Sequence, residues 1–133
     1  MKILIAEDDL VSRKFLFKFL SQYGDCDLVV DGLEALDAYL IARKENSPYD
    51  LICLDIMMPK IDGVKVLKQI RDMEEKKELS QENHTKVFMT TALGETQLVQ
   101  NAFDIGCDAY AVKPLDIKKL TEVLLKLELI PFR

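Results

Sequence analysis

Short apolar runs alternate with longer segments of helical spacing, and this alternation constrains the fold more than any other feature. The runs are Ile3–Ala6, Cys26–Val30, Leu51–Leu54, Val87–Met89 and Ala109–Val112. A strand that is apolar at successive positions needs cover on both faces, which a parallel sheet flanked by helices provides. Between the runs, apolar residues recur at three- and four-residue intervals. The stripes are Phe15, Leu16, Phe19 and Leu20; then Leu33, Leu36, Tyr39 and Leu40; then Val64, Leu67 and Ile70; then Leu98, Ala102 and Ile105; and last Ile117, Leu120, Leu124 and Leu127. Five β-α units follow, an α/β class. Asp116 stands where it can cap the last helix, and Gly24 and Gly106 fall where helices should stop.

A chain of 133 residues has room for one domain with a real core. Hydrophobic residues make up 49% and charged residues 31%, an ordinary globular mix, and no apolar run approaches the roughly 20 residues of a membrane span. Met1-Lys2 followed by Ile3–Ala6 makes a poor signal peptide and a good first strand. The net charge of −5 argues against direct binding of nucleic acid. Cys26, Cys53 and Cys107 are far apart, form no CxxC pair and have no clustered histidine, which argues against zinc. A reducing cytoplasm suits three such thiols, and Cys53, inside an apolar run, reads as buried and inert. The polar stretch Glu74–Lys86, "EEKKELSQENHTK", reads as a helix end and a solvated loop, with His84 a surface residue.

The polar residues fall at the carboxyl ends of the runs. Glu7-Asp8-Asp9 follows the first, Asp55 the third, Thr90-Thr91 the fourth and Lys113-Pro114 the fifth. In an open parallel sheet these ends share an edge where ligands bind. The second run is read as an outlying strand. Singly, these residues have plainer readings: helix-end charge for the acids, a cap for Asp55, surface charge for Lys113. Together they put carboxylates, a hydroxyl and an ammonium in one pocket. Crowded carboxylates disfavour ionisation unless a cation relieves them, and Mg²⁺ suits hard oxygen donors. A carboxylate beside such a cation and an anion site can accept a phosphoryl group. That chemistry would explain why a buried strand ends in Asp55, with Pro59 stopping any helix that would follow directly.

At these residues the chain resembles the receiver domain of two-component response regulators, over essentially its whole length, 1–133. "ILIAEDD" matches the family's acidic pair at Glu7-Asp8. "DIMMPKIDG" matches its D-x-x-M-P-x-x-D-G pattern, with Asp55 as acceptor and Met58, Pro59, Asp62 and Gly63 in register. Thr91-Ala92 and Lys113-Pro114 match the ends of strands four and five, and Tyr110 the aromatic switch position. Thr91 is preferred over Thr90 because Ala92 follows it. The resemblance implies a flavodoxin-like, doubly wound three-layer sandwich. Its five-stranded parallel sheet has the order 2-1-3-4-5, with two helices on one face and three on the other. It also implies a cis Lys113-Pro114 bond.

By the same resemblance, Mg²⁺ would be held by Glu7, Asp8, Asp55 and the backbone carbonyl of Met57. Asp55 would take a phosphoryl group from a phosphohistidine on a sensor histidine kinase or a histidine phosphotransfer protein. Lys113 would balance the moving charge, and Thr91 would bond the phosphoryl oxygens. Tyr110 would then turn, and the face of helix four, strand five and helix five, roughly Gly94 to Lys126, would signal to a downstream effector. The protein would be a phosphoaccepting regulator rather than an enzyme. The end just after helix five, "LELIPFR", and the starting methionine favour a stand-alone receiver over one cut from a larger regulator; a relay intermediate passing the group to another histidine is equally compatible. Met57 departs from the polar residue common there. It also argues against an aspartate-nucleophile phosphatase, which needs a second acid at that position. A receiver-like binder without phosphorylation would lack the acceptor or the lysine, and both are present. Leu10 and Phe17, on the outer side of helix one with Arg13 and Lys14 beside them, are expected to help dock the phosphodonor.

Overall fold

The structure, a computed structural model, describes residues 1–77, 84–92 and 96–131. Strands β1 (Lys2–Ala6), β2 (Asp25–Val29), β3 (Leu51–Asp55), β4 (Lys86–Thr91) and β5 (Ala109–Val112) alternate with helices α1 (Leu10–Leu20), α2 (Gly32–Lys44), α3 (Gly63–Lys76), α4 (Thr96–Ile105) and α5 (Ile117–Lys126). The strands are all parallel, in the order β2-β1-β3-β4-β5. This is the receiver, or flavodoxin-like, arrangement.

The two-residue alternation of each strand builds two cores. Leu4, Ala6, Ile52, Leu54, Val87 and Met89 pack under α2, α3 and α4. Ile3, Ile5, Leu51, Cys53, Phe88 and Ala109 pack under α1 and α5. Burial pushes the Cys53 thiol well above its ordinary range, with the nearby Glu7 and Asp55 charges adding to the effect, as an inert thiol requires.

Four helices begin on an aspartate or serve the same logic: Asp9, Asp31, Asp62 and Asp116 each accept a hydrogen bond from the backbone N–H three residues on, at 2.8, 2.8, 3.0 and 2.8 Å. Each satisfies a donor that the helix cannot. Gly106 closes α4 at φ +120°, a conformation that glycine adopts without strain.

Several expectations need correction. In α2 the buried residues are Gly32, Ala35, Tyr39 and Ala42, while Leu33 and Leu40 are 46% and 45% exposed. The small alanines let the helix lie close to the sheet, and the bulkier leucines turn outward. Ile117, in the first turn of α5, is also exposed, whereas Leu120, Leu124 and Leu127 are buried. β2 is not covered on both faces: Asp25, Asp27 and Leu28 are exposed, because it is the edge strand. α1 ends at Leu20, before Gly24.

The polar stretch after Met73 is also not merely solvated. Glu74 is fully buried and ion-paired to Arg71 at 2.6 Å, and it accepts the Thr85 N–H at 2.7 Å. Arg71 further donates to the carbonyls of Gly106 and Thr85 at 2.9 and 2.8 Å and pairs with Asp108 at 2.8 Å. Asp108 in turn accepts the Val87 N–H at 2.7 Å. One guanidinium thus joins α3, the start of β4 and the α4–β5 turn. His84 is partly buried. Residues 78–83 of that stretch lie outside the described residues.

Candidate functional site

The carboxyl ends of the strands bring the expected residues to one edge. Strand register sets Asp55 beside Thr90, and Thr91 beside Val112. Glu7 leaves β1 with its N–H donating to the Val29 carbonyl at 3.1 Å, and its side chain is fully buried. Asp55 is buried and Asp8 exposed. Carboxylate oxygens of Glu7, Asp8 and Asp55 all lie within 4.8 Å of one another. The Lys113 ammonium enters between two of them, 2.7 Å from Glu7 Oε1 and 3.2 Å from Asp55 Oδ2. Asp9 does not join the cluster. Its carboxylate caps α1, and the Ser12 N–H holds it below its ordinary pKa.

Two local devices fix this geometry. Asp55 sits at the top of a fully buried strand, and the chain then loops back so that the Gly63 N–H donates to the Ile56 carbonyl at 2.7 Å. A Cβ at position 63 would fall 2.2 Å from the Asp55 carbonyl oxygen, so only glycine allows this approach. The sequence reading missed the second device. Arg13, expected as a docking-surface charge, turns back and donates to the carbonyls of Glu7 and Asp8 at 2.9 and 3.2 Å, pinning the acidic loop. Its place one turn into α1 was the only available signal.

Burial, then the neighbouring Glu7 carboxylate, pushes Asp55 up to about 8; Lys113 opposes the shift. Burial alone would lower the Lys113 ammonium, but its bond to Glu7 and the Asp55 charge outweigh that and hold it above its usual range. The Met57 N–H donates to Asp55 Oδ1 at 3.3 Å, while the Met57 side chain is exposed. Thr91 is buried; its hydroxyl donates to the Ala92 carbonyl at 3.2 Å, and its own carbonyl accepts the Lys113 N–H at 2.7 Å. Tyr110 is 43% exposed and meets Phe103 of α4 edge to face, with ring centroids 5.4 Å apart. The Lys113-Pro114 bond is cis.

Three convergent carboxylates offer only hard oxygen donors and repel one another without a cation. Both properties fit Mg²⁺. A fixed ammonium beside the central carboxylate adds a place for an anion. The pocket is consistent with a Mg²⁺-dependent phospho-aspartate site. Among the described residues, no helix is long and apolar enough to cross a membrane.

Comparison with known proteins agrees. Residues 3–125 match the family model of the response regulator receiver domain. The chain is 34% identical over 124 residues to the chemotaxis protein CheY of Treponema pallidum, covering 91% of this chain and 78% of that one. It is 35% identical to the transcriptional regulatory protein CiaR of Streptococcus pneumoniae, but spans only 48% of that relative's length. Among solved structures, the CheX-CheY-BeF3-Mg complex from Borrelia burgdorferi aligns with a TM-score of 0.78 at 31% identity, over 96% of this chain and 89% of that one. The complex of the Saccharomyces cerevisiae histidine phosphotransfer protein Ypd1 with the receiver domain of Ssk1 aligns at 0.76 and 25%, over 93% and 86%. A receiver domain is a regulator of two-component signalling rather than an enzyme in the ordinary sense, and this chain belongs to the response regulator receiver domain family.

Proposed function

We propose that the chain is a cytoplasmic phosphoacceptor whose Asp55 takes a phosphoryl group from a phosphohistidine. The observation that carries this reading is the placement of Asp55, buried at a strand end with Lys113 3.2 Å away and two more carboxylates around it. An Asp55 oxygen attacks phosphorus as the bond from phosphorus to the donor imidazole nitrogen breaks, and the imidazole leaves with the bonding pair. Lys113 already stands where the transferred negative charge arrives. Glu7, Asp8, Asp55 and the Met57 carbonyl would hold Mg²⁺, which when bound supplies charge neutralisation for the phosphoryl oxygens. The solved CheY complex with BeF3 and Mg supports this assignment by likeness.

Thr91 then bonds the phosphoryl oxygens, and Tyr110 turns from its exposed position against Phe103. The surface of α4, β5 and α5 changes as a result, by population shift, for a downstream effector. Gly94, the expected start of that surface, lies outside the described residues. The domain is taken to run 1–133, beyond the matched 3–125, because Leu127 is buried and Leu129 and Ile130 pack against the α1/α5 core.

Acetyl phosphate with Mg²⁺, read by intact mass, tests the reading. Wild type is expected to gain one phosphoryl group and Asp55→Asn none; equal labelling of the variant would place the acceptor elsewhere. Asp8→Asn is expected to weaken Mg²⁺ binding at least roughly tenfold by titration calorimetry, since it removes a charged donor, and to stabilise the metal-free protein by relieving repulsion. Unchanged Mg²⁺ affinity would exclude Asp8 as a ligand.

The donor docks over α1, whose outer face exposes Leu10, Val11 and Phe17 (53%, 77% and 37%) beside the acidic loop. The Ypd1–Ssk1 complex supports a histidine phosphotransfer protein or a kinase as the partner class. Phe17→Ala should slow transfer from the cognate donor while labelling by acetyl phosphate keeps its rate. Slowing of both would indicate a damaged fold instead.

A further inference from the structure

At the edge of the sheet opposite Asp55, the last turns of α2 and α3 enclose a cavity of about 630 Å³. Its wall and floor are apolar, from Tyr39, Leu40, Pro48 and Met73. Its rim carries Arg43, Lys44, Lys76 and Lys77. A chain with net charge −5 has thus gathered four cations around one concavity. Among the described residues, none of the four forms an ion pair. Basic residues in the last turn of a helix answer its dipole. That accounts for a cation at each helix end, but not for the apolar hollow between them.

Tyr39 is 1% exposed and its hydroxyl is sealed from solvent, so what the residue gives the wall is its ring. The Arg43 guanidinium lies 5.8 Å from the centre of the same ring, so a charged group and an aromatic face meet at one wall. Met73, an unbranched and adaptable side chain, is the part of the floor most able to yield.

We propose that this cavity binds a small organic anion, with a flat or aliphatic body between Tyr39, Leu40, Pro48 and Met73 and a phosphate, sulfonate or carboxylate group among the four rim cations. The volume lies in the range of small-molecule sites, which are concave and mostly apolar with few polar groups. A free molecule is favoured over a membrane surface because the cations surround a hollow rather than cover a flat face. The site does not depend on the phosphoacceptor reading.

The probe is 1-anilinonaphthalene-8-sulfonate, an aromatic monoanion, titrated into the folded protein with fluorescence and methyl NMR as readouts. Saturable binding of one probe per chain, with a shift of the Met73 methyl signal, is expected. Arg43→Gln with Lys76→Gln should weaken it roughly three- to tenfold, as loss of two exposed charge contacts implies. Lys18→Gln, on α1, should leave it unchanged. Non-saturable binding, equal weakening by the Lys18 control, or no effect of the Arg43/Lys76 pair would overturn the proposal. So would binding to phosphatidylglycerol vesicles but not to the free probe, which would indicate a membrane surface.

Discussion

Arg71→Met is expected to lower the unfolding free energy by about 3–5 kcal/mol, the usual cost of removing one partner of a buried ion pair. Glu74 would stay fully buried beside Thr85 with no counter-charge, and two backbone carbonyls, of Gly106 and Thr85, would lose their donor. The guanidinium side chain is only 11% exposed, so solvent screens little of the loss. With a urea slope of roughly 1–3 kcal/mol per molar, the midpoint should fall by on the order of 2 M. Arg71→Met combined with Glu74→Leu should recover part of the loss, because the stranded charge is gone. Acetyl phosphate labelling of whatever fraction stays folded should be unaffected, since the network lies at the far edge of the sheet. A single-variant loss below about 1 kcal/mol would mean that the pair behaves like an exposed one.

The second large effect is a metal-free stability that falls as pH rises. Asp55 has a folded pKa near 8 against an ordinary value of 3.8, so its protonated form favours the folded state. Between those values the folded protein binds more protons than the unfolded chain, and unfolding free energy declines with pH. The limiting slope is about 1.4 kcal/mol per pH unit, with the stability falling between the two values. Lys113, held above 10.5, contributes stability that is fully present throughout this window and is lost only above it. Asp9 and Asp31, held below their ordinary value, titrate beneath it. Denaturation in chelator at pH 5 and pH 8 should show the decline in wild type and a flat profile in Asp55→Asn, and excess Mg²⁺ should restore wild type at pH 8. Parallel profiles for the two proteins would exclude Asp55 as the titrating group.

The strands and the site were legible because their signals are local or periodic. Apolar runs located the four covered strands, and the polar residue after each located the edge where Glu7, Asp8, Asp55, Thr91 and Lys113 meet. What sequence reasoning missed depends on neighbours far along the chain. Leu33 and Leu40 looked like core because size drew more attention than spacing, yet Ala35, Tyr39 and Ala42 face the sheet. Glu74 looked solvated among lysines and glutamates. Its burial follows from Thr85 and from Arg71, which is itself held by Asp108, and no periodicity joins those positions. Arg13 was misread for a similar reason, since only the folded loop shows that its guanidinium points backward to the Glu7 carbonyl.

The close approach at Gly63 makes the loop over the site an exchangeable cassette. Its base is clamped by the bond from Gly63 N–H to the Ile56 carbonyl, and the absent Cβ leaves the Asp55 carbonyl undisturbed. Residues 56–63 therefore share one geometry that begins and ends beside the acceptor. A chimera that imports this whole segment from a relative, closing glycine included, keeps both ends in register. One that swaps only Met57 and its immediate neighbours must fit foreign side chains onto an unchanged frame. Tuning the lifetime of the phosphorylated state by grafting is therefore better done by whole-segment exchange than residue by residue.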